Sequence, residues 1–180
     1  MLLGCKMMNN HLLEEDNLQF QFPEFDYAIK FDIHKNKTQG LLPVDFIAEN
    51  KSNIYFIEVK DYQNPKATIE RKKADEVMLH NATVEKNHIF VYKMGAKIKD
   101  SLLRKYALGE IISKDVIYLL FINMDKLGER ERGQLKVRIN NHIPSGLNEN
   151  KYWRFTTIKF DIVNRSQLKN EYGITCTPKI

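Results

Sequence analysis

The sequence predicts a mixed α/β domain at the α+β border: a mixed central sheet whose antiparallel meander is flanked by helices. Three observations carry that expectation. Short segments in the first third alternate apolar and polar residues, two later segments repeat apolar residues at helical spacing, and a continuous apolar run lies between those two. Strands in meander, then helix, strand, helix, strand, is an order that buries helices against a sheet.

The elements follow in turn. Leu18–Phe22 (LQFQF) alternates as a half-buried strand does, and Pro23 closes it. Tyr27–Ile33 (YAIKFDI) repeats the pattern, with Tyr27, Ile29, Phe31 and Ile33 on one face. The polar residues His34–Gly40 form a loop before two apolar runs, Leu42–Ala48 and Ile54–Lys60, separated by Glu49-Asn50-Lys51-Ser52-Asn53. Asn and Ser favour turns because their side chains bond the local backbone, so the pair is expected to be a β-hairpin.

Asp61–Glu76 is strongly charged, contains Pro65 and is expected to be an exposed excursion. In Val84–Ile112, the residues Val91, Met94, Ile98, Leu102 and Tyr106 recur at spacings of three and four, which marks one buried helical face; Gly95 weakens that helix. Val116–Met124 fits a strand covered on both faces, and Gly128–Ile143 an amphipathic helix. Tyr152–Val163 is β-rich, and Ser166–Tyr172 is a short helix stopped by Gly173. Residues 1–16 are a polar segment without assigned function, and residues 17–180 form a single domain; there is no internal repeat or low-complexity linker.

Composition narrows the function classes. A chain of 180 residues with 43% apolar content buries roughly 70% of its unfolded surface. No apolar run approaches the ~18–20 residues of a membrane span, in keeping with a mean hydropathy of −0.46. The first eight residues lack the layout of a signal peptide, and the two cysteines, Cys5 and Cys176, form neither a ligand pair nor a disulfide framework, so a reducing cytoplasm is expected. The net charge of +5 permits a polyanionic partner without demanding one. Histidines 11, 34, 80, 88 and 142 show no metal-binding spacing, and no phosphate loop, serine elbow or dinucleotide fingerprint is present.

The chemistry concentrates in residues 43–62, PVDFIAENKSNIYFIEVKDY. Alternation along the second hairpin strand puts Ile54, Phe56, Glu58 and Lys60 on one face and Tyr55, Ile57 and Val59 on the other. With a loop of Lys51-Ser52 or Asn50–Asn53, Asp45 falls directly across from Glu58, with Cβ atoms about 5 Å apart. Like charges so placed repel, so positive charge is expected beside them. Two carboxylates with the Val59 carbonyl offer oxygen ligands to Mg²⁺ or Mn²⁺, and Lys60 would stand where it can orient or deprotonate an attacking water. Glu49/Lys51, Glu70/Lys72 and Glu149/Lys151 share the acid-x-Lys spacing, but only Glu58/Lys60 lies inside an apolar strand with an Asp one hairpin away.

This stretch resembles the PD-(D/E)XK nuclease superfamily, with Pro43-Val44-Asp45 for its proline-Asp, displaced by one residue, and Glu58-Val59-Lys60 for its acidic-x-Lys. VDFI, FIEVKDY and GAKIKDSL also look like a bacterial group within it. The resemblance implies a restriction-endonuclease-like core of helix, three-stranded meander, helix and strand. It implies a Mg²⁺- or Mn²⁺-dependent phosphodiester hydrolase with Asp45, Glu58 and Lys60 as catalytic residues, and DNA rather than RNA as substrate.

Other residues are auxiliary. Asp32 could join the metal cluster, and Lys97 in GAKIKD is the preferred auxiliary cation. The superfamily's first-helix glutamate has no clear counterpart, with Glu14, Glu15 and Glu24 as candidates. Residues 84–114 hold seven basic residues against three acids, so Lys93, Lys97 and Arg104 are expected to contact nucleic-acid phosphates. Trp153, Phe155 and Tyr152 are expected to pack in the last strand. Three alternatives remain: an exposed strand end where Lys60 offsets two acids, a catalytically silent nucleic-acid- or protein-binding module of the same fold, and a homodimer paired through strand edges such as Leu18–Phe22.

Overall fold

The structure, a computed structural model, describes residues 11–32, 40–85, 88–110, 112–144 and 158–179. Its elements in chain order are β1 (His11–Glu15), β2 (Leu18–Phe22), β3 (Tyr27–Lys30), β4 (Phe46–Glu49), β5 (Asn53–Asp61), α1 (Ile69–Val84), α2 (Ile89–Ala107), β6 (Asp115–Asn123), α3 (Glu129–Asn140), β7 (Ile158–Val163), α4 (Arg165–Tyr172) and β8 (Thr175–Pro178). The fold is mixed α and β with two sheets. One orders β3-β4-β5-β6-β7, with the first three strands antiparallel and β5, β6 and β7 parallel; the other orders β1-β2-β8, all antiparallel.

The larger sheet is covered on both faces, which explains the unbroken apolar runs of β5 and β6. Ile54, Phe56, Val116, Tyr118, Leu120 and Ile122 pack against Leu79 of α1, Val91, Met94 and Ile98 of α2, and Leu135 and Ile139 of α3. The opposite face, through Tyr55, Ile57, Val59, Ile117, Leu119 and Phe121, meets Phe20 and Phe22 of β2, Leu168 of α4 and Cys176 of β8. Phe20 packs edge-on against Phe46 and Phe121, with ring centroids 5.2 and 5.5 Å away. No described helix is long and apolar enough to cross a membrane.

Local chemistry accounts for most boundaries. Asn50 Oδ1 accepts the amides of Ser52 and Asn53, which closes the β4–β5 hairpin and sets Phe46 opposite Ile57. Asn164 and Gln167 form a reciprocal capping box at the start of α4, and Gly173 ends it at φ 67°. Gly95 is required for packing: a Cβ there would collide with His142.

Several expectations are corrected. Asp61–Glu76 is not an excursion throughout, because α1 starts at Ile69 with Thr68 accepting the Arg71 amide; only Leu79, Ala82 and Thr83 of that helix are buried, too few to show periodicity. Tyr106 leaves the buried face and is 80% exposed, since α2 ends at Ala107 and turns away through Leu108 and Gly109. His11–Glu15 is a strand rather than an unassigned segment, and Thr175–Pro178 is another. They pair with β2 on either side, so Leu18–Phe22 is the middle strand of its sheet and offers no free edge for self-association. Strands β3 and β4 are shorter than the alternation suggests, because pairing stops at Lys30 and starts at Phe46. Among the described residues the meander is preceded by β1 and β2, not by a helix. Ile33, His34, Lys86, Glu149, Lys151, Tyr152, Trp153 and Phe155 lie outside the described residues.

Candidate active site

The site begins with the hairpin register. One step beyond the Phe46–Ile57 pair, the chain brings Asp45 alongside β5, where its Oδ2 accepts the Val59 amide at 2.6 Å. Glu58 is completely buried and Asp45 is 5% exposed, so two acids are withdrawn from solvent towards the carboxyl end of β5. Solvating charge must therefore come from the protein.

Two lysines supply it. Lys60, two residues along β5 and on the same face, sets Nζ 2.6 Å from Glu58 Oε1. Lys97 of α2 sets Nζ 3.0 Å from Glu58 Oε2 and donates to the Pro43 carbonyl at 2.9 Å. Burial works to lower the Lys60 ammonium, but the Glu58 carboxylate, with Asp45 behind it, outweighs that and leaves Lys60 above its ordinary value. Burial first, and then Glu58, pushes Asp45 up to about 8, against the opposing pull of Lys97, the Val59 amide and Lys60. At neutral pH and without further positive charge, Asp45 holds a proton.

Helix α2 grips the strand that delivers Asp45. Asp100 accepts the Leu42 amide at 2.9 Å, Ser101 accepts the Val44 amide at 2.9 Å, and Phe31 donates its amide to the Asp45 carbonyl at 2.7 Å. Arg104, expected to contact nucleic acid, is buried at 7% exposure; it donates to the Phe31 carbonyl at 2.6 Å and lies over the Phe31 ring at 4.5 Å. It is therefore structural, because its charge is spent inside the fold on the segment leading to Asp32 and Asp45. Lys97 likewise faces Glu58 rather than open solvent, while Lys93 is exposed on α2.

The carboxylates gather differently from the expected set of Asp45, Glu58 and the Val59 carbonyl. Glu15 at the end of β1, Asp32 beyond β3 and Asp45 each bring a carboxylate oxygen within 4.8 Å of the others. Glu58 is not among the three; lysines occupy both of its oxygens. Lys30 holds Glu15 from the side, Nζ to Oε2, at 2.7 Å. Three carboxylate oxygens so placed, one of them from the acid that resists ionisation, could hold a metal ion.

Glu15, one of three unassigned candidates for a first-helix acid, comes instead from the end of strand β1, and the α2 residues Asp100 and Ser101 are parts that sequence reasoning did not single out. Asp16-Asn17 was a usable signal for Glu15: two turn-forming residues between LLEE and LQFQF mark a hairpin, and Asp16 takes φ 49° there. Nothing local marks Asp100 or Ser101, whose partners lie more than fifty residues away.

No family model, curated protein or solved structure matches the chain.

Proposed function

We propose that this chain is a metal-dependent phosphodiester hydrolase of the PD-(D/E)XK type, acting on DNA. The observation that carries the reading is the buried Glu58 held between Lys60 and Lys97, with Asp45 delivered beside it by the hairpin partner strand. The element order from Tyr27 onward supports it as well: an antiparallel three-stranded meander, helices, then a strand parallel to the third.

A divalent cation held by Asp45, Asp32 and Glu15 would supply an acidified water and positive charge at the phosphate. The side chains do the rest. Lys60, charged at neutral pH, is a hydrogen-bond donor and stabiliser of negative charge at the reacting phosphate rather than a base. Glu58 fixes that ammonium in place, and Lys97 keeps Glu58 from turning away. Asp45 would have to be deprotonated to hold a cation, which would link metal binding to pH.

A second reading, a catalytically silent binding module, draws on one specific feature. Each oxygen of Glu58 is already ion-paired with a lysine, so its charge is offset without a metal. Incubation of supercoiled, linear and single-stranded DNA, with RNA alongside, under Mg²⁺, Mn²⁺ or EDTA separates the two. The hydrolase reading expects metal-dependent cleavage that is lost in Glu58→Gln and Lys60→Ala. Salt-sensitive DNA binding without cleavage on any substrate would favour the silent module.

A further inference from the structure

The parallel strands β5, β6 and β7 end side by side, and a cleft of about 270 Å³ opens at their carboxyl ends, where ligands of α/β sheets commonly bind. Its walls come from three directions. Asn123 stands at the end of β6, Arg132 reaches in from α3, and Arg165 and Ser166 form the first turn of α4. Lys60 pairs with Ile122 of the cleft wall in the β5–β6 ladder, so the cleft starts one strand spacing, about 4.8 Å, from the catalytic lysine's backbone.

Charge in the cleft is predominantly positive. Neither Arg132 nor Arg165 is ion-paired to a carboxylate among the described residues. Arg132 donates one nitrogen to the Leu127 carbonyl at 2.8 Å. Arg165 donates Nη2 to Asn123 Oδ1 at 3.2 Å, and its guanidinium also hydrogen-bonds the Cys176 thiol. Asn123 is oriented for this by donating Nδ2 to Asp61 at 2.6 Å, so the Asp61 charge is engaged before it reaches the arginine. One acid, the exposed Asp125, borders the cleft. Asn164 caps only the Gln167 amide, so the amides of Arg165 and Ser166 have no intrahelical acceptor and add the positive end of the α4 dipole.

Two guanidinium groups line the cleft without a carboxylate partner among the described residues, and planar guanidinium groups match phosphate oxygens. We propose that this cleft is a phosphate-binding subsite that holds a nucleic-acid strand beside Lys60, with Arg165 and Arg132 as its cationic ligands. The identity of the strand rests on the hydrolase reading above; the affinity for phosphate does not. Terminal phosphate monoesters and internal diesters share this chemistry, and the experiment separates them.

Binding is measured in EDTA, so that cleavage is not needed, with three single-stranded DNA probes of one sequence: 5′-phosphorylated, 5′-hydroxyl and covalently circular. Arg165→Gln and Arg132→Gln should each weaken binding roughly tenfold and reduce the salt slope by about one. Ser166→Glu is the variant that keeps the fold, because an acid in the first turn favours the helix while repelling phosphate; it should weaken binding similarly. Tighter binding of the 5′-phosphorylated probe alone, lost in Arg165→Gln, assigns a terminal phosphate. Equal weakening on all three probes assigns an internal diester.

Variants with wild-type melting temperature, affinity and salt slope on every probe would overturn the subsite. So would a wild-type chain that binds none of the probes. Arginine-dependent binding in a chain that never cleaves would sink the hydrolase and leave the subsite standing, and metal-dependent cleavage with arginine-independent binding would do the reverse.

Discussion

Lys97 Nζ lies 3.0 Å from Glu58 Oε2 and 2.9 Å from the Pro43 carbonyl, so one side chain on α2 ties the buried acid of β5 to the segment that delivers Asp45. Removing it leaves a completely buried carboxylate with a single cation. Lys97→Met is expected to destabilise the fold by about 2–4 kcal/mol in urea unfolding, while Lys97→Arg retains most of that stability. Equal stability of Lys97→Met and wild type would mean that Lys60 alone satisfies Glu58.

Asp45 makes stability depend on pH with a definite sign. Its carboxyl moves from 3.8 in the unfolded chain to about 8 in the folded one. Between those values the folded state binds the extra proton, so this contribution is complete at low pH and is lost as pH rises through the window. Asp45→Asn removes the dependence. Its stability relative to wild type should rise by on the order of several kcal/mol between about pH 4 and about pH 8, read by denaturant unfolding at each pH. A constant difference across that range would show that Asp45 ionises normally.

Two basic residues of α2, Lys93 and Arg104, should respond in opposite ways. Arg104→Leu forfeits the Phe31 carbonyl bond and the ring contact, and is expected to cost about 2–3 kcal/mol of stability. Lys93→Ala should leave stability within ~0.5 kcal/mol and lower the salt slope of DNA binding by about one.

Gly95→Ala tests helix packing against helix propensity. Alanine is favoured over glycine inside a helix by ~1 kcal/mol, but the added methyl meets His142 at the end of α3. A net loss of about 1–3 kcal/mol is expected from overpacking, measured by thermal and urea unfolding.

Mn²⁺ should raise the melting temperature of the wild type, by more at about pH 8 than at about pH 6, because the cation must expel the Asp45 proton. Asp32→Asn or Glu15→Gln should reduce that shift. An unaltered shift in both would place the cation elsewhere.

The hairpin was legible in the sequence because its signals are local. Asn50 makes the turn by bonding amides two and three residues ahead, and the period of two then puts Ile54 and Phe56 against the helices and Tyr55, Ile57 and Val59 against the smaller sheet. Gly173 stops α4 through its positive φ, again a local cause. The charged first half of the α1 region concealed a helix because its buried residues cluster near its end, at Leu79, Ala82 and Thr83. Arg104 was misread for a tertiary reason. A cation outside the apolar stripe is ordinarily solvated, but here the Phe31 carbonyl sits above it. Glu15 met Asp32 and Asp45 only through the contact of β1 with β3, a contact between separate sheets that no spacing in the chain encodes.

The central claim is that Lys60, fixed by Glu58, promotes phosphodiester hydrolysis, and nicking of supercoiled plasmid tests it most directly. Wild type and Lys60→Ala, purified identically, are compared under Mg²⁺ and under EDTA. The account predicts nicking by the wild type that EDTA abolishes and that Lys60→Ala reduces about a hundredfold or more. Nicking that survives Lys60→Ala at the wild-type rate would contradict it.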